Sequence, residues 1–280
     1  MQKINKAVIL CAGYATRFLP ETKVTPKELL PLYDTPVLQH IVDDLISVGV
    51  KEICFVIRKG KENILHHFLP NKKWEKNVKN SGKINFEKYK QIKFFVRFQK
   101  KPLGTGNALL SAKDFCDQPF FLLNGDEVVK NQIPPTKQML EFWRKNGGCV
   151  LGVKRVVKKE VTKYGMINYV TKNKLKIINQ IEEKPDILST PSLFANIGIY
   201  ILNNEFIRHI STKNENEVPI TDAINSFVKE HTMFALTIKG KRYDMGSPLS
   251  YVLNNIDYCL HRDDTHDQTL KFLKKLIKEK

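Results

Sequence analysis

The sequence predicts an α/β fold built on a mixed, mostly parallel sheet with helices on both faces. Short apolar runs alternate with amphipathic helical patterns through the first half of the chain, as in parallel strands joined by helical crossovers. The 280 residues are 42% hydrophobic, which is sufficient for a substantial core. Polar segments containing small residues follow three of the strands, at the edge where ligands bind in such Rossmann-like sheets.

Four strands and four helices are expected in the first half. Near-continuous apolar runs of four to six residues are typical of buried parallel strands. Apolar side chains recur at helical spacing from residue 37 to 48, and Gly49 ends that helix. The strands are predicted at Lys6–Cys11, Ile53–Ile57, Phe94–Phe98 and Phe120–Leu123, and the helices at 37–48, 62–68, 108–115 and 136–145.

The pattern changes after residue 70 and again after residue 148. Residues 71–90 contain seven lysines and few apolar residues, and we expect a surface excursion there. The second half is richer in strands, and no Pro/Gly/Ser-rich linker separates it from the first, so one domain spanning 1–280 is predicted. Its strands are expected at 150–157, 165–169, 175–182, 194–202 and 233–238, and its helices at 203–210, 221–230, 248–259 and 269–280.

Composition excludes several classes of protein. The 46 Lys+Arg and 29 Asp+Glu give a net charge of +17, which fits a site for polyanionic small molecules or a lysine-rich solvated surface. The lysines are dispersed and no aromatic-interleaved basic motif occurs, so no nucleic-acid partner is expected. Five cysteines without C-x-x-C or zinc spacing indicate reduced thiols. No apolar run approaches the roughly 18–20 residues of a membrane helix, so a cytoplasmic protein without a membrane partner is expected.

The loop after the first strand has the chemistry of an anion site. Small residues at Ala12 and Gly13 let backbone N–H groups approach a ligand, and Arg17, Lys23 and Lys27 add three cations. The P-loop and the dinucleotide fingerprint are both absent. The residues alone leave two interpretations open, a triphosphate-binding loop and an exposed polar loop with incidental lysines.

Two further segments follow strands at the same edge of the predicted sheet. Gln99 offers a donor and an acceptor that suit a pyrimidine, and Gly104 permits close packing against a flat base, although an ordinary strand-to-helix turn fits equally. Asp126 is placed to hold Mg²⁺ or to cap a turn. The adjacent Glu127 is a second candidate ligand or a solvated acid.

In order along the chain, these segments resemble the sugar-nucleotide pyrophosphorylases, which transfer a nucleotidyl group from a nucleoside triphosphate to a sugar 1-phosphate. Residues 13–27 match the family's pattern G-x-G-T-R-x-x-P-x-T-x-x-x-P-K, except that Ala15 replaces the second glycine. Alanine is excluded there if the residue needs a positive φ. Residues 26–32, PKELLPL, are more similar to the uridylyltransferase branch than to the thymidylyltransferase branch. The resemblance extends through nearly the whole chain.

The resemblance implies a role for each matching residue. The residues implied in catalysis are Arg17, Lys27 and Lys184. Those implied in nucleotide binding are Ala12, Gly13, Gln99 and Gly104. Those implied in sugar binding are Gly165, Glu183 and Gly198, and Asp126 and Asp244 are implied as ligands of Mg²⁺.

The resemblance also implies the organisation and the reaction. Residues 1–148 are the nucleotide-binding half, 149–262 a sugar-binding lobe and 263–280 a C-terminal helix. The reaction is attack of α-D-glucose 1-phosphate on UTP, giving UDP-glucose and pyrophosphate, in a homodimer or homotetramer. Transfer from dTTP by a glucose-1-phosphate thymidylyltransferase and a non-catalytic, sugar-nucleotide-binding regulator on the same fold remain as alternatives.

Overall fold

A nine-stranded sheet runs through both halves of the protein. The structure, a computed structural model, describes residues 3–78, 86–211 and 217–279. The strands are β1 (Lys6–Leu10), β2 (Pro31–Leu32), β3 (Thr35–Pro36), β4 (Glu52–Ile57), β5 (Lys93–Phe98), β6 (Phe120–Asn124), β7 (Glu127–Lys130), β8 (Cys149–Arg155), β9 (Gly165–Lys172), β10 (Leu175–Glu183), β11 (Phe194–Leu202), β12 (Met233–Thr237) and β13 (Lys241–Asp244). The helices are α1 (Val37–Ser47), α2 (Asn63–His66), α3 (Lys72–Val78), α4 (Gly104–Leu110), α5 (Pro135–Asn146), α6 (Asn204–Arg208), α7 (Ile220–Phe227), α8 (Pro248–Leu260) and α9 (His266–Lys278).

The main sheet has the strand order β5-β4-β1-β6-β11-β8-β12-β10-β9. Strands β5, β4, β1 and β6 pair in parallel, and β8 pairs in parallel with β12. The other neighbours, β6–β11, β11–β8, β12–β10 and β10–β9, are antiparallel. Between β9 and β10 the reversal takes only Asn173 and Lys174, both with positive φ, as in a tight hairpin turn. The predicted mixed α/β class is confirmed, and parallel pairing prevails in the first half.

Helices cover both faces of this sheet, as the alternation of side chains in β1 requires. Ala7 and Ile9 pack into the core beneath α1 and α5, whereas Val8 points to the opposite core beneath α4 and α7. Successive side chains of a strand face opposite sides of a sheet, so an uninterrupted apolar run fits a strand that is buried on both faces.

Several elements differ from the prediction. Helix α4 begins at Gly104, four residues earlier than expected, because the glycine segment forms its first turn. The short strands β7 and β13 were not predicted, and they form a separate two-stranded sheet. The predicted surface excursion at 71–90 is described only in part, since residues 79–85 lie outside the described residues. Its described portion includes Tyr89, which is buried and donates a hydrogen bond to Asp43 Oδ1 at 2.8 Å.

Among the described residues, no helix combines the length and the apolar character needed to cross a membrane.

Candidate active site

A cleft of about 660 Å³ opens beyond the carboxyl ends of β1 and β6, between the two halves of the chain. Its volume is in the range of small-molecule sites. The twelve residues to which the resemblance gives a role line this cleft: Ala12, Gly13, Arg17, Lys27, Gln99, Gly104, Asp126, Gly165, Glu183, Lys184, Gly198 and Asp244. Residues separated by more than 200 positions in the sequence therefore converge on one cavity, because consecutive crossovers bring the strand ends to the same edge. Lys23, the third cation expected in the loop after β1, is exposed and is not among the lining residues.

The loop after β1 contains a left-handed residue at Ala15, where a positive φ was not expected for alanine. Ala15 has φ 52° and ψ 43°, a conformation that costs an L-residue about 1–2 kcal/mol. The expectation that alanine is excluded at a positive φ here is wrong. The turn is stabilised by two hydrogen bonds to the Ala15 carbonyl, from the Thr22 hydroxyl and the Phe18 N–H, each 2.9 Å long. The left-handed turn therefore forms with alanine at the position of the family's second glycine.

Lys27 and Asp126 form an ion pair at the floor of the cleft. Lys27 begins a short 3-10 turn, and Asp126 follows the end of β6. Burial raises the pKa of Asp126, but the Lys27 ammonium, a backbone hydrogen bond and Lys61 together lower it by more, so the pKa is below its usual value. Burial lowers the pKa of Lys27, and the Asp126 and Glu28 carboxylates more than offset this. Both groups are therefore charged at neutral pH.

A second ion pair lies directly behind the first and is almost fully buried. Lys61 is 2% exposed and Glu28 is 1% exposed. The Lys61 ammonium donates to Glu28 Oε1 at 3.0 Å and Oε2 at 2.8 Å, and to the Cys11 carbonyl at 2.7 Å. Glu28 is adjacent to Lys27 in the chain, and its Cγ lies so close to Gly125 that a Cβ there would be 3.1 Å away. This pair connects the loop after β1, the 3-10 turn of Lys27 and the turn before Asp126.

The small β7–β13 sheet places a cluster of charges on the opposite side of the cleft. Its register sets Asp244 opposite Glu127. Arg242 forms a forked ion pair with Glu127, with Nη2 3.0 Å from Oε2, and its Nη2 is also 3.5 Å from Asp244 Oδ2. Tyr164 stacks on the Arg242 guanidinium at 4.2 Å and donates its hydroxyl to Asp244 Oδ2 at 2.9 Å. Glu127 is thus a paired, buried acid and not a solvated one, and burial raises its pKa to about 7.

Gln99 lies at the end of β5 with its amide nitrogen already engaged. Its Nε2 donates to the Gly104 carbonyl and to Asn107 Oδ1, both at 3.0 Å, which directs the oxygen Oε1 to other partners. Gly104 has φ +85°, and a Cβ there would lie 2.9 Å from the Val218 carbonyl oxygen. The close approach that Gly104 permits is therefore to the segment before α7, and the predicted reason, packing against a flat base, does not account for it.

Local packing also explains why glycine occupies positions 165 and 198. Gly198 has φ +64°, and a Cβ there would fall 2.2 Å from Asn124 Nδ2. Gly165 is paired with Glu183 across β9 and β10, and a Cβ at Gly165 would be 3.1 Å from Glu183 Oε2. These glycines leave the Asn124 amide and the Glu183 carboxylate at the cleft wall.

Two cations lie at the mouth of the cleft. The Lys184 ammonium is 3.6 Å from Glu183 Oε1, and both side chains are largely exposed. Arg17 reaches across from the loop after β1 and lies 3.5 Å from the Gly246 carbonyl oxygen. Since exposed pairs contribute little to stability, both cations are free to exchange these contacts for a phosphate.

Two carboxylates, Asp126 at the floor of the cleft and Asp244 on its opposite side, form a donor set that fits a hard divalent cation. The Asp126 and Asp244 carboxylates both line the cleft, and the Met245 N–H donates to the Asp126 carbonyl at 3.3 Å, so the two segments are adjacent. Carboxylate oxygens are the ligands that Mg²⁺ prefers.

Four residues that shape or support the site gave no functional signal in the sequence. Arg242 and Tyr164 contact the predicted metal ligand Asp244, and Lys61 and Glu28 support the loop after β1. Arg242 lies two positions before Asp244, a spacing that places both side chains on one face of a strand, but this polar segment did not indicate a strand. Lys61 is distant from Glu28 in the sequence and gave no local signal.

Fold and site together define a nucleotidyltransferase. Residues 6–259 match the model of the nucleotidyl transferase family, and the chain belongs to this family.

Within the family the chain is similar to proteins named as uridylyltransferases or UDP-glucose pyrophosphorylases, and also to a putative glucose-1-phosphate thymidylyltransferase from Bacillus anthracis, with a TM-score of 0.72 at 25% identity over 90% of this chain and 94% of that one. It is 37% identical, over 99% of both chains, to "UTP--glucose-1-phosphate uridylyltransferase 2" of Staphylococcus saprophyticus. A UTP-bound UGPase from Acinetobacter baumannii superposes with a TM-score of 0.86 at 26% identity, covering 98% of this chain and 99% of that one. A UDP-glucose pyrophosphorylase complexed with UDP-glucose gives a TM-score of 0.82 at 29% identity, covering 92% and 100%. The resemblance inferred from the motifs is confirmed.

Proposed function

We propose that the protein transfers the uridylyl group of UTP to α-D-glucose 1-phosphate, giving UDP-glucose and pyrophosphate. The observation that carries this proposal is the 37% identity over nearly the full chain to a curated UTP–glucose-1-phosphate uridylyltransferase. The convergence of the motif residues on one cleft supports it, since the cleft has the size and the charges that two phosphorylated substrates need.

The reaction is an in-line displacement at the α-phosphorus of UTP. A phosphate oxygen of glucose 1-phosphate forms the new P–O bond, and the bond from the α-phosphorus to the bridging oxygen of pyrophosphate breaks. Pyrophosphate leaves with the electron pair. The attacking oxygen is already ionised, so alignment and charge stabilisation carry the catalysis and no general base is required.

Three cations are assigned to the reacting phosphates. Lys27, at the cleft floor, stabilises the charge that develops on the α-phosphoryl group and on the departing pyrophosphate, together with Arg17. Lys184 holds the phosphate of the sugar from the opposite wall. Arg17 and Lys184 have exposed, exchangeable partners, the Gly246 carbonyl and Glu183, so both are able to turn to a phosphate.

The remaining assignments follow the two walls of the cleft. In the first half, residues 1–148, the backbone of Ala12 and Gly13 approaches the triphosphate, and Gln99 Oε1 accepts from the N3–H of uracil beside Gly104. In the sugar-binding lobe, residues 149–262, Glu183 accepts from hexose hydroxyls next to Gly165 and Gly198. The engaged Gln99 Nε2 supports this orientation of the amide.

Asp126 and Asp244 are assigned as ligands of Mg²⁺. When bound there, Mg²⁺ supplies positive charge to the phosphate oxygens of the triphosphate. Tyr164 and the Gly246 N–H orient the Asp244 carboxylate, at 2.9 Å and 2.8 Å. Lys27 keeps Asp126 anionic in the absence of substrate.

We also propose self-association, as a homodimer or homotetramer. Although Tyr251 and Tyr258 of α8 pack against the core, no side chain of α8 or α9 is fully buried in the protomer. Their exposed apolar residues, which supply an apolar surface for a second copy, are Leu249, Val252, Leu253, Phe272, Leu276 and Ile277.

The proposed reaction is tested by incubating the protein with UTP, glucose 1-phosphate and Mg²⁺ and measuring both products. UDP-glucose and pyrophosphate are expected in equal amounts, and neither without the sugar phosphate. Galactose 1-phosphate serves as the matched control for the hexose. Binding of UDP-glucose without turnover in either direction would instead indicate a non-catalytic, sugar-nucleotide-binding regulator on the same fold.

A further inference from the structure

A second cluster of potential metal ligands lies outside the cleft. It consists of Glu205 on α6, His209 directly after α6 and His231 beyond the end of α7, and is called here the α6–α7 cluster. Their ligand atoms all lie within 4.8 Å of one another. Among the residues lining the cleft, none belongs to this cluster.

The local fold brings the three side chains together. Glu205 and His209 are four residues apart, so they project from the same side of a helical turn. The Asn203 side chain caps this turn by accepting from the Phe206 N–H at 3.1 Å. His231 continues the C-terminal turn of α7, where its N–H donates to the Phe227 carbonyl at 2.9 Å.

Neighbouring side chains hold both imidazoles in place. The buried Phe227 ring stacks on His231 at 4.7 Å and meets His209 edge-on at 5.3 Å. The Ser226 hydroxyl lies 3.1 Å from His209 Nδ1. A hydrogen bond at Nδ1 leaves Nε2 of that ring as the coordinating nitrogen, which is the arrangement that supports histidine ligands in metal sites.

We propose that the α6–α7 cluster binds a divalent transition-metal ion of the zinc type. Two imidazole nitrogens and one carboxylate oxygen suit Zn²⁺ and leave a fourth position for water, whereas Mg²⁺ prefers oxygen ligands alone. This donor set therefore distinguishes the cluster from the carboxylates of the cleft.

Arg208 is the competitor for this site. Its guanidinium lies 3.2 Å from Glu205 Oε2, and its side chain is 72% exposed. A pair that is so exposed is weak and yields to a metal ion. Since the bound ion links α6 to the end of α7, it stabilises the packing of these two helices against each other.

The proposal is tested by calorimetric titration of Zn²⁺ into the full-length protein with Mg²⁺ in excess. One Zn²⁺ per chain is expected to bind to wild type. Affinity is expected to fall at least about tenfold in His209→Ala/His231→Ala. Arg208→Ala is expected to bind more tightly, and His66→Ala, which removes an exposed histidine elsewhere, to bind as wild type does.

Thermal unfolding gives a second readout that does not depend on activity. Saturating Zn²⁺ is expected to raise the Tm of wild type by about 5 °C and to leave that of the double variant unchanged. If the double variant does not fold, His231→Gln alone, which lacks one imidazole, replaces it in both assays. The absence of stoichiometric Zn²⁺ binding by wild type would overturn the proposal. Binding by His209→Ala/His231→Ala, or by His231→Gln in its place, that equals wild-type binding would overturn it as well.

Discussion

Replacing Lys61 by methionine tests how the buried ion pair behind the cleft supports the site. Lys61→Met keeps the length of the side chain but removes the ammonium that donates to Glu28 and to the Cys11 carbonyl. Glu28, at 1% exposure, is then left with an uncompensated buried charge. Because Glu28 is bonded to Lys27 in the chain and packs against Gly125, we expect both stability and catalysis to suffer.

The magnitude follows from the burial of both partners. Removing one partner of a buried ion pair costs about 3–5 kcal/mol. At roughly 2 °C per kcal/mol for a chain of this size, the Tm of Lys61→Met falls by about 6–10 °C. The double variant Lys61→Met/Glu28→Gln carries no buried charge at these positions and recovers most of that loss.

Thermal unfolding and steady-state kinetics separate the two effects. We expect the double variant to regain stability but to keep a kcat/KM at least about tenfold below wild type, since the contacts that position Lys27 remain absent. Lys59→Met, at an exposed neighbouring position, is the matched control and changes neither quantity. A Tm of Lys61→Met within about 2 °C of wild type would refute this reasoning.

Three further predictions concern the cleft and the core. Lys27→Ala is expected to lower kcat by about 100-fold or more, whereas Gln99→Ala mainly raises the KM for UTP; small and equal effects in steady-state assays would contradict the assigned roles. Asp244→Asn is expected to raise the Mg²⁺ concentration needed for half-maximal activity, and an unchanged Mg²⁺ titration would count against Asp244 as a ligand. Burial and the nearby Lys130 lower the pKa of His40 from 6.5 to about 3. As the pH falls from 6.5 towards 3, only the unfolded chain binds this proton, so the free energy of unfolding declines by at most about 1.4 kcal/mol per pH unit. His40→Gln is expected to flatten that decline in pH-dependent unfolding, and an identical slope would exclude His40 as its source.

The sequence was sufficient to locate the site because its signals are local. Each motif follows an apolar strand, and parallel strands joined by crossovers end at a common edge, so order along the chain translates into proximity in space. Gln99 and Asp126 illustrate this, since both were placed correctly from the strand that precedes them. The mixed second half was less well defined, because most of its neighbouring strands are distant along the chain and their pairing leaves no local signal.

Features that depend on distant contacts were not predictable from the sequence. Ala15 adopts a positive φ against its local preference, because Thr22 and Phe18 secure its carbonyl. The strand that carries Arg242 and Asp244 is short and polar, and it forms only because β7 pairs with it. At Ala15 the local preference against a positive φ is worth about 1–2 kcal/mol, and the hydrogen bonds to its carbonyl outweigh it.

The most direct test of the proposed function is a comparison of nucleoside triphosphates. The rates of pyrophosphate release and nucleotide-sugar formation are measured with Mg²⁺, α-D-glucose 1-phosphate and, in turn, UTP, dTTP, CTP, ATP and GTP. We predict that UTP gives the highest kcat/KM, at least about tenfold above dTTP, which differs from UTP by one additional methyl group and by the missing 2′-hydroxyl. A preference for dTTP, or no product with any triphosphate from folded protein, would contradict the proposed uridylyl transfer.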